Sequence, residues 1–338
     1  MKRGTFRWAC LAGGLLLLGG PAWSSPAGMV RQSFPGKGPK QAGKSPVKVF
    51  ILAGQSNMEG QGVVDLDGKD YNQGKGTLVQ VMKDPARADL FKHLKDAQGE
   101  WVVRDDIWFY FKSASGLKAG GLTIGGTGYG GKHHIGPELQ FGHVVGDHLT
   151  NQVLLIKTAW GGKSLYKDFR PPSSGGNVGP FYTKMLEEVR EALADLKKHF
   201  PAYDGGGWEF AGFVWQQGWN DMCDAKAIPE YDQNLVNLVK DLRAELKAPG
   251  LPVVIGELGN GGARAEGAML AFRKAQESGA RRIDRALFVV THDFARPAEE
   301  SPNPGHGHHW FGNAESYFLI GNALGEGMKK LLGPGSGR

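Results

Sequence analysis

Short apolar, β-branched runs recur along this chain, and each is cut off abruptly by glycine or a polar turn. Residues 47–53 read VKVFILA and stop at Gly54-Gln55-Ser56-Asn57. Runs bounded in this way predict buried strands, here at 48–53, 152–158, 208–215, 252–256 and 286–291. Between them the apolar spacing turns helical. Residues 180–199, opened by Pro180, place Phe181, Met185, Val189, Leu193 and Leu196 on one side. Residues 229–246 do the same with Tyr231, Leu235, Leu238, Val239, Leu242 and Leu246. Further helices are expected at 142–148, 264–278 and 313–332. Strands alternating with helices predict an α/β protein, a three-layer α/β/α sandwich whose parallel central sheet is covered on both faces.

A long irregular insertion is expected between the first two of these strands, at about 63–148. It carries Trp101, Trp108, Phe109, Tyr110 and Phe111, which suit packing better than sugar stacking, and then a glycine-rich stretch, 116–131. Within that stretch, Gly126 to Lys132 has the G-x-x-x-x-G-K frame of a phosphate loop. His133 stands where a magnesium-binding Ser or Thr is required, which argues against nucleotide binding. His133-His134 reads as surface loop.

The ends differ from the middle. Residues 1–24 read as a secretory signal peptide: Lys2, Arg3 and Arg7, then a leucine-rich core, then Ala22-Trp23-Ser24 as a cleavage site. The apolar core is short for a membrane span, so no stable membrane anchor is expected. Residues 25–46 and 333–338 are rich in Gly, Pro, Lys and Ser and read as a flexible basic linker and tail. They contribute to a formal net charge of +6, which suits solubility. No motif or aromatic-basic stripe points to nucleic acid. The oligomeric state is not readable from the chain.

The chemistry lies at the ends of the predicted strands. Gly54-Gln55-Ser56-Asn57-Met58 resembles the nucleophile block of the SGNH hydrolase superfamily, and more narrowly that of sialate O-acetylesterase-like carbohydrate esterases. Met58 separates it from the G-x-S-x-G elbow of other hydrolases. The second strand runs into Trp160-Gly161-Gly162, and the resemblance gives one of these glycines a backbone donor role for an oxyanion. Gly218-Trp219-Asn220-Asp221 is similar to the superfamily's G-x-N-D block, so Asn220 inherits a donor role beside the Ser56 N–H. Gln55 and Gln217 are the expected substrate-binding side chains. His309, just before the final helix, matches the base, with His306 and His308 as weaker candidates. The superfamily's D-x-x-H acid is missing, because His306 occupies its position. Asp293 is the first choice for the third member, Glu299 and Glu300 the reserves, and a dyad without an acid the remaining option.

The resemblance covers about residues 47–332 and implies an SGNH/flavodoxin-like fold. It also implies a secreted or periplasmic serine esterase that removes O-acetyl groups from carbohydrates, sialic acid or a polysaccharide such as xylan, through an acyl-enzyme. No cofactor and no metal are implied. Two other readings fit the same residues: a lipid or aryl esterase of this fold, and a carbohydrate-binding protein that has lost the chemistry.

Overall fold

The computed structural model describes residues 32–34, 43–129 and 131–334. The segment 1–24, expected to be a signal peptide, and the end of the tail, 335–338, lie outside the described residues. Eight strands form the main sheet: β1 (Gln32–Phe34), β2 (Lys44–Gly54), β3 (Arg104–Ser113), β4 (Gly116–Leu122), β5 (Asn151–Ala159), β6 (Trp208–Gln216), β7 (Val253–Gly256) and β8 (Ala286–Val289). Their order is β1-β4-β3-β5-β2-β6-β7-β8. β3, β5, β2, β6, β7 and β8 are parallel, while β4 runs antiparallel to β3 and carries β1 beside it in its own direction. From β2 the later strands add on both sides, β5 on one and β6 on the other. β2 is therefore a point where strand order reverses, and crevices that hold ligands open at the carboxyl ends of such strands.

Alternation along β2 sorts the core into two layers. Val49, Ile51 and Ala53 face one side, with Met185 and Val189 of α3 (Pro180–Ala194), Leu235 and Leu238 of α4 (Tyr231–Glu245), and Phe272 of α5 (Ala268–Arg281). Phe50 and Leu52 face the other, with Phe141 and Val145 of α2 (Glu138–His148) and Phe318, Ile320 and Leu324 of α6 (Ala314–Leu332). Ahead of these helices comes α1 (Ser56–Glu59), a single turn at the end of β2. The three-layer sandwich expected from the sequence is the observed fold.

Several expectations need correction. The insertion is not irregular throughout, since β3 and β4 extend the main sheet. Trp108, Phe109, Tyr110 and Phe111 are all buried because helices cover both faces of β3, so consecutive side chains each find a core. In the expected flexible linker, Gln32–Phe34 pairs with β4, and β2 already begins at Lys44. The helix expected over 180–199 breaks at Asp195 (φ −139°, ψ 54°) and resumes as the turn Leu196–His199. The helix expected at 264–278 starts at Ala268, since Gly267 (φ 60°) holds a conformation outside the helix. His134 is buried in a two-stranded ribbon with Val63, while His133 bonds Asp65 at 2.7 Å.

Candidate active site

The turn after β2 is possible only with glycine. A Cβ on Gly54 would lie 2.1 Å from the Gln216 carbonyl oxygen of the neighbouring strand. Gln55 is the N-cap of α1 and is extended (φ −113°, ψ −155°), so Ser56 is the first helical residue. Its N–H therefore has no intrahelical acceptor. Its side chain does not cap the helix either. Ser56 Oγ lies 2.9 Å from His309 Nε2.

His309 arrives on a tight segment, Gly307–Gly312, just before α6. Trp310 (φ 52°) and Phe311 (φ 56°) are left-handed there, and bulky side chains enter that region at about 1–2 kcal/mol each. The surroundings hold the strained backbone in place. Asn57 Nδ2 donates to the His308 carbonyl (3.1 Å), Asn260 Nδ2 to the Gly307 carbonyl (3.0 Å), and the Tyr317 hydroxyl to the His309 carbonyl (3.3 Å). The Tyr317 hydroxyl shares its one hydrogen between that carbonyl and Asn57 Oδ1, the nearer at 2.8 Å, so the residue next to the serine helps to anchor the histidine. Trp310 is buried, and Asn313 caps α6 by accepting from the Ser316 N–H at 3.2 Å.

The expected oxyanion donors are tied to one another. Asn220 Nδ2 donates to the Gly162 carbonyl at 3.0 Å, at an exposed position. Gly161 and Gly162 are exposed, and a Cβ on Gly162 would meet nothing within 4 Å. Gln55 and Gln217, expected to touch substrate, are instead turned inward and are only 2 % exposed each. Gln55 Nε2 donates to Asn220 Oδ1 (3.0 Å), while Gln55 Oε1 accepts from Gln217 Nε2 (3.2 Å) and the Gly218 N–H (3.1 Å). This fixes the Asn220 carboxamide with its NH2 outward. Gln217 Nε2 also reaches Asp221 (2.6 Å), and Asp221 accepts the Leu165 and Tyr166 N–H groups, both at 2.8 Å. The asparagine block thus clamps the loop that follows Gly161-Gly162. Burial pushes the Asp221 carboxyl up to about 6 against these three hydrogen bonds.

Asp293 is not brought to His309. Its side chain is 76 % exposed and lies 3.6 Å from His292 Nε2. Glu299 and Glu300 are exposed on a separate turn. Among the described residues no carboxylate is in ion-pair reach of His309. Burial, then the neighbouring His308 and His306, lower its pKa to about 3, so the imidazole is neutral in ordinary buffers. The three rings lie 4.0–6.4 Å apart between centroids, and Trp219 lies 5.7 Å from His308. One strand further out, buried Glu257 accepts His292 Nδ1 at 2.8 Å together with the Thr291 and His292 N–H groups. This pair ties the ends of β7 and β8 together.

Sequence reasoning missed two buried groups beneath the serine. Lys157 in β5 has a fully buried side chain and donates to Glu138 Oε2 (2.6 Å), the Glu59 carbonyl (3.0 Å) and the Gly126 carbonyl (2.7 Å). Glu59, at the end of α1, accepts the Tyr129 hydroxyl at 3.0 Å. A lysine inside an otherwise apolar strand run was the available signal for the first.

A hydroxyl held by a neutral imidazole at the strand-order reversal is a pairing that acyl transfer requires. Residues 46–328 match the family described as carbohydrate esterase, sialic acid-specific acetylesterase, and the chain belongs to it; it is a carboxylic ester hydrolase. A probable carbohydrate esterase of Arabidopsis thaliana is 24 % identical over 220 residues, 64 % of this chain and 71 % of the relative. The crystal structure of that Arabidopsis protein superposes with a TM-score of 0.53 at 20 % identity, covering 84 % of this chain and 98 % of its own. A carbohydrate acetylesterase from Xanthomonas citri gives 0.49 at 14 % identity, covering 83 % and 57 %.

Proposed function

We propose that this protein is an exported serine esterase that removes O-acetyl groups from carbohydrates. The observation that carries the reading is the 2.9 Å contact between Ser56 Oγ and His309 Nε2 at the carboxyl end of β2. His309 takes the Ser56 proton as Oγ attacks the acetyl carbonyl, and the oxyanion accepts from the Ser56 N–H, the Gly162 N–H and Asn220 Nδ2. His309 then protonates the leaving sugar hydroxyl. Water, deprotonated by the same imidazole, releases acetate from the acyl-enzyme. Support for a dyad comes from the fixed His309 backbone, which orients the ring without a carboxylate. The leader-like residues 1–24 support export, which suits a polymeric or cell-surface substrate.

Acetate release from acetylated xylan, O-acetylated sialic acid and p-nitrophenyl acetate tests the reading. Ser56→Ala and His309→Ala should each lose at least about 10³-fold in kcat. Turnover unchanged by Ser56→Ala refutes it, and a preference for long-chain acyl esters over every acetylated sugar replaces the substrate class.

A further inference from the structure

The acyl-transfer steps leave one buried acid beside the serine unused. Glu59 lies one helical turn after Ser56, so the two side chains share a face of α1. It is only 8 % exposed. Two glycine turns close around its carboxyl. On one side a Cβ on Gly128 would lie 2.5 Å from Oε1, so the Gly126–Tyr129 segment wraps tightly over it. Tyr129 bonds Oε2 from the same segment at 3.0 Å. On the other side is Gly161; burial raises the Glu59 pKa, and the Tyr129 hydroxyl, Lys157 and the Gly161 backbone oppose that pull. A Cβ there would sit 3.1 Å from Tyr129 Oη, 3.3 Å from Glu59 Oε2 and 3.9 Å from Ser56 Cβ. Gly161 therefore lets the acid and the phenol rest against the backbone of the oxyanion turn, next to the nucleophile. The backbone of the same residue is pinned as well, since Lys157 Nζ donates to the Glu59 carbonyl and to the Gly126 carbonyl.

We propose that Glu59 is a positioning residue: its carboxyl holds the Gly161-Gly162 turn in register with Ser56, so that the Gly162 N–H faces the ester oxygen, and it seats Tyr129 as one wall of the sugar cleft. This rests on the serine esterase reading. Gly161 is packed against the acid, with a Cβ there 3.3 Å from Glu59 Oε2, whereas a Cβ on Gly162 would meet nothing within 4 Å. The arrangement thus selects Gly162 over Gly161 as the oxyanion donor. Displacing an oxyanion donor reduces kcat by about 10²–10³-fold and leaves ground-state binding largely alone.

The test measures kcat, KM and the melting temperature on p-nitrophenyl acetate and acetylated xylan for Glu59→Ala, Glu59→Gln, Tyr129→Phe and Ser56→Ala. Glu59→Ala should lower kcat by about 10²-fold with KM within about threefold. Glu59→Gln should recover most of that loss, because its carbonyl oxygen still accepts from Tyr129 and Gly161. Tyr129→Phe, which deletes one hydroxyl, should lower kcat about tenfold with a near-parental melting temperature. A merely structural role would move the melting temperature and leave kcat of the folded fraction at the parental value, and that result overturns the proposal. If Glu59→Ala does not fold, a Tyr129→Phe enzyme with parental kcat, or a folded Glu59→Gln that has lost kcat by about 10²-fold, overturns it as well. Parental turnover in Ser56→Ala instead removes the esterase reading beneath it.

Discussion

Replacing Lys157 by Met isolates what the buried ion pair contributes. Lys157 and Glu138 are both fully buried side chains 2.6 Å apart, and Lys157 Nζ also serves two backbone carbonyls. Burial pulls the lysine pKa down, while Glu138 at close range opposes that pull. Methionine matches the stem of lysine in size, so the perturbation is electrical rather than steric. It strands two carbonyls and a buried carboxyl that, among the described residues, keeps the Gly136 N–H at 3.0 Å. Breaking a buried pair from one side destabilises by about 3–5 kcal/mol. Domains of this size lose about 2 °C of melting temperature per kcal/mol, so a fall of about 6–10 °C is expected. The double variant Lys157→Met/Glu138→Leu removes both charges and should recover at least about 2 kcal/mol of the loss. Urea titrations followed by tryptophan fluorescence give both numbers, read from midpoints at constant m. A single-variant loss under about 1 kcal/mol, or a double-variant loss equal to the sum of the two singles, would refute the reasoning.

Two further outcomes follow from the site. Asp293→Asn should leave kcat within about twofold, because the carboxylate points to solvent beside His292 and not to His309; a loss of about 10²-fold or more would restore a triad. His309 also ties stability to pH. Its native pKa of about 3 lies below the ordinary 6.5, so the unfolded chain binds the extra proton as the pH drops through that window. Stability should fall there by up to ~1.4 kcal/mol per pH unit for this one group, and His309→Gln should flatten the curve by that share. If the parent and variant curves stay parallel between pH 6.5 and 4, the buried neutral imidazole is wrong.

The candidate site was legible where its residues sit at a strand end. Ser56, Gly161-Gly162 and Asn220 each follow an apolar run that stops at glycine, a local signal that needs no knowledge of the rest of the chain. His309 was legible from its place before the last helix. The third member was not, because nearness to a strand end is all that favours Asp293, and sequence distance says nothing about which way a side chain on a short turn points. Gln55 and Gln217 failed for a related reason. Amides beside a catalytic block can bind substrate or orient their neighbours, and only the packing of β2 against β6 decides that they face each other. The insertion hid β3 and β4 because Arg104-Asp105-Asp106 opens the first with charge and the second is rich in glycine. Arg104 and Asp106 neutralise each other at 2.8 Å inside the fold, a pairing that no periodicity reveals.

The 2.9 Å contact at the centre of the site joins residues 253 positions apart. The serine leaves the ribosome early, on the central strand, and the imidazole almost last, on the segment that leads into the final helix. Asn57, Asn260 and Tyr317 then lock that segment from three separate parts of the chain. A nascent polypeptide that ends before Gly307 holds Ser56 but not His309, so the pair can form only after that late segment has been made.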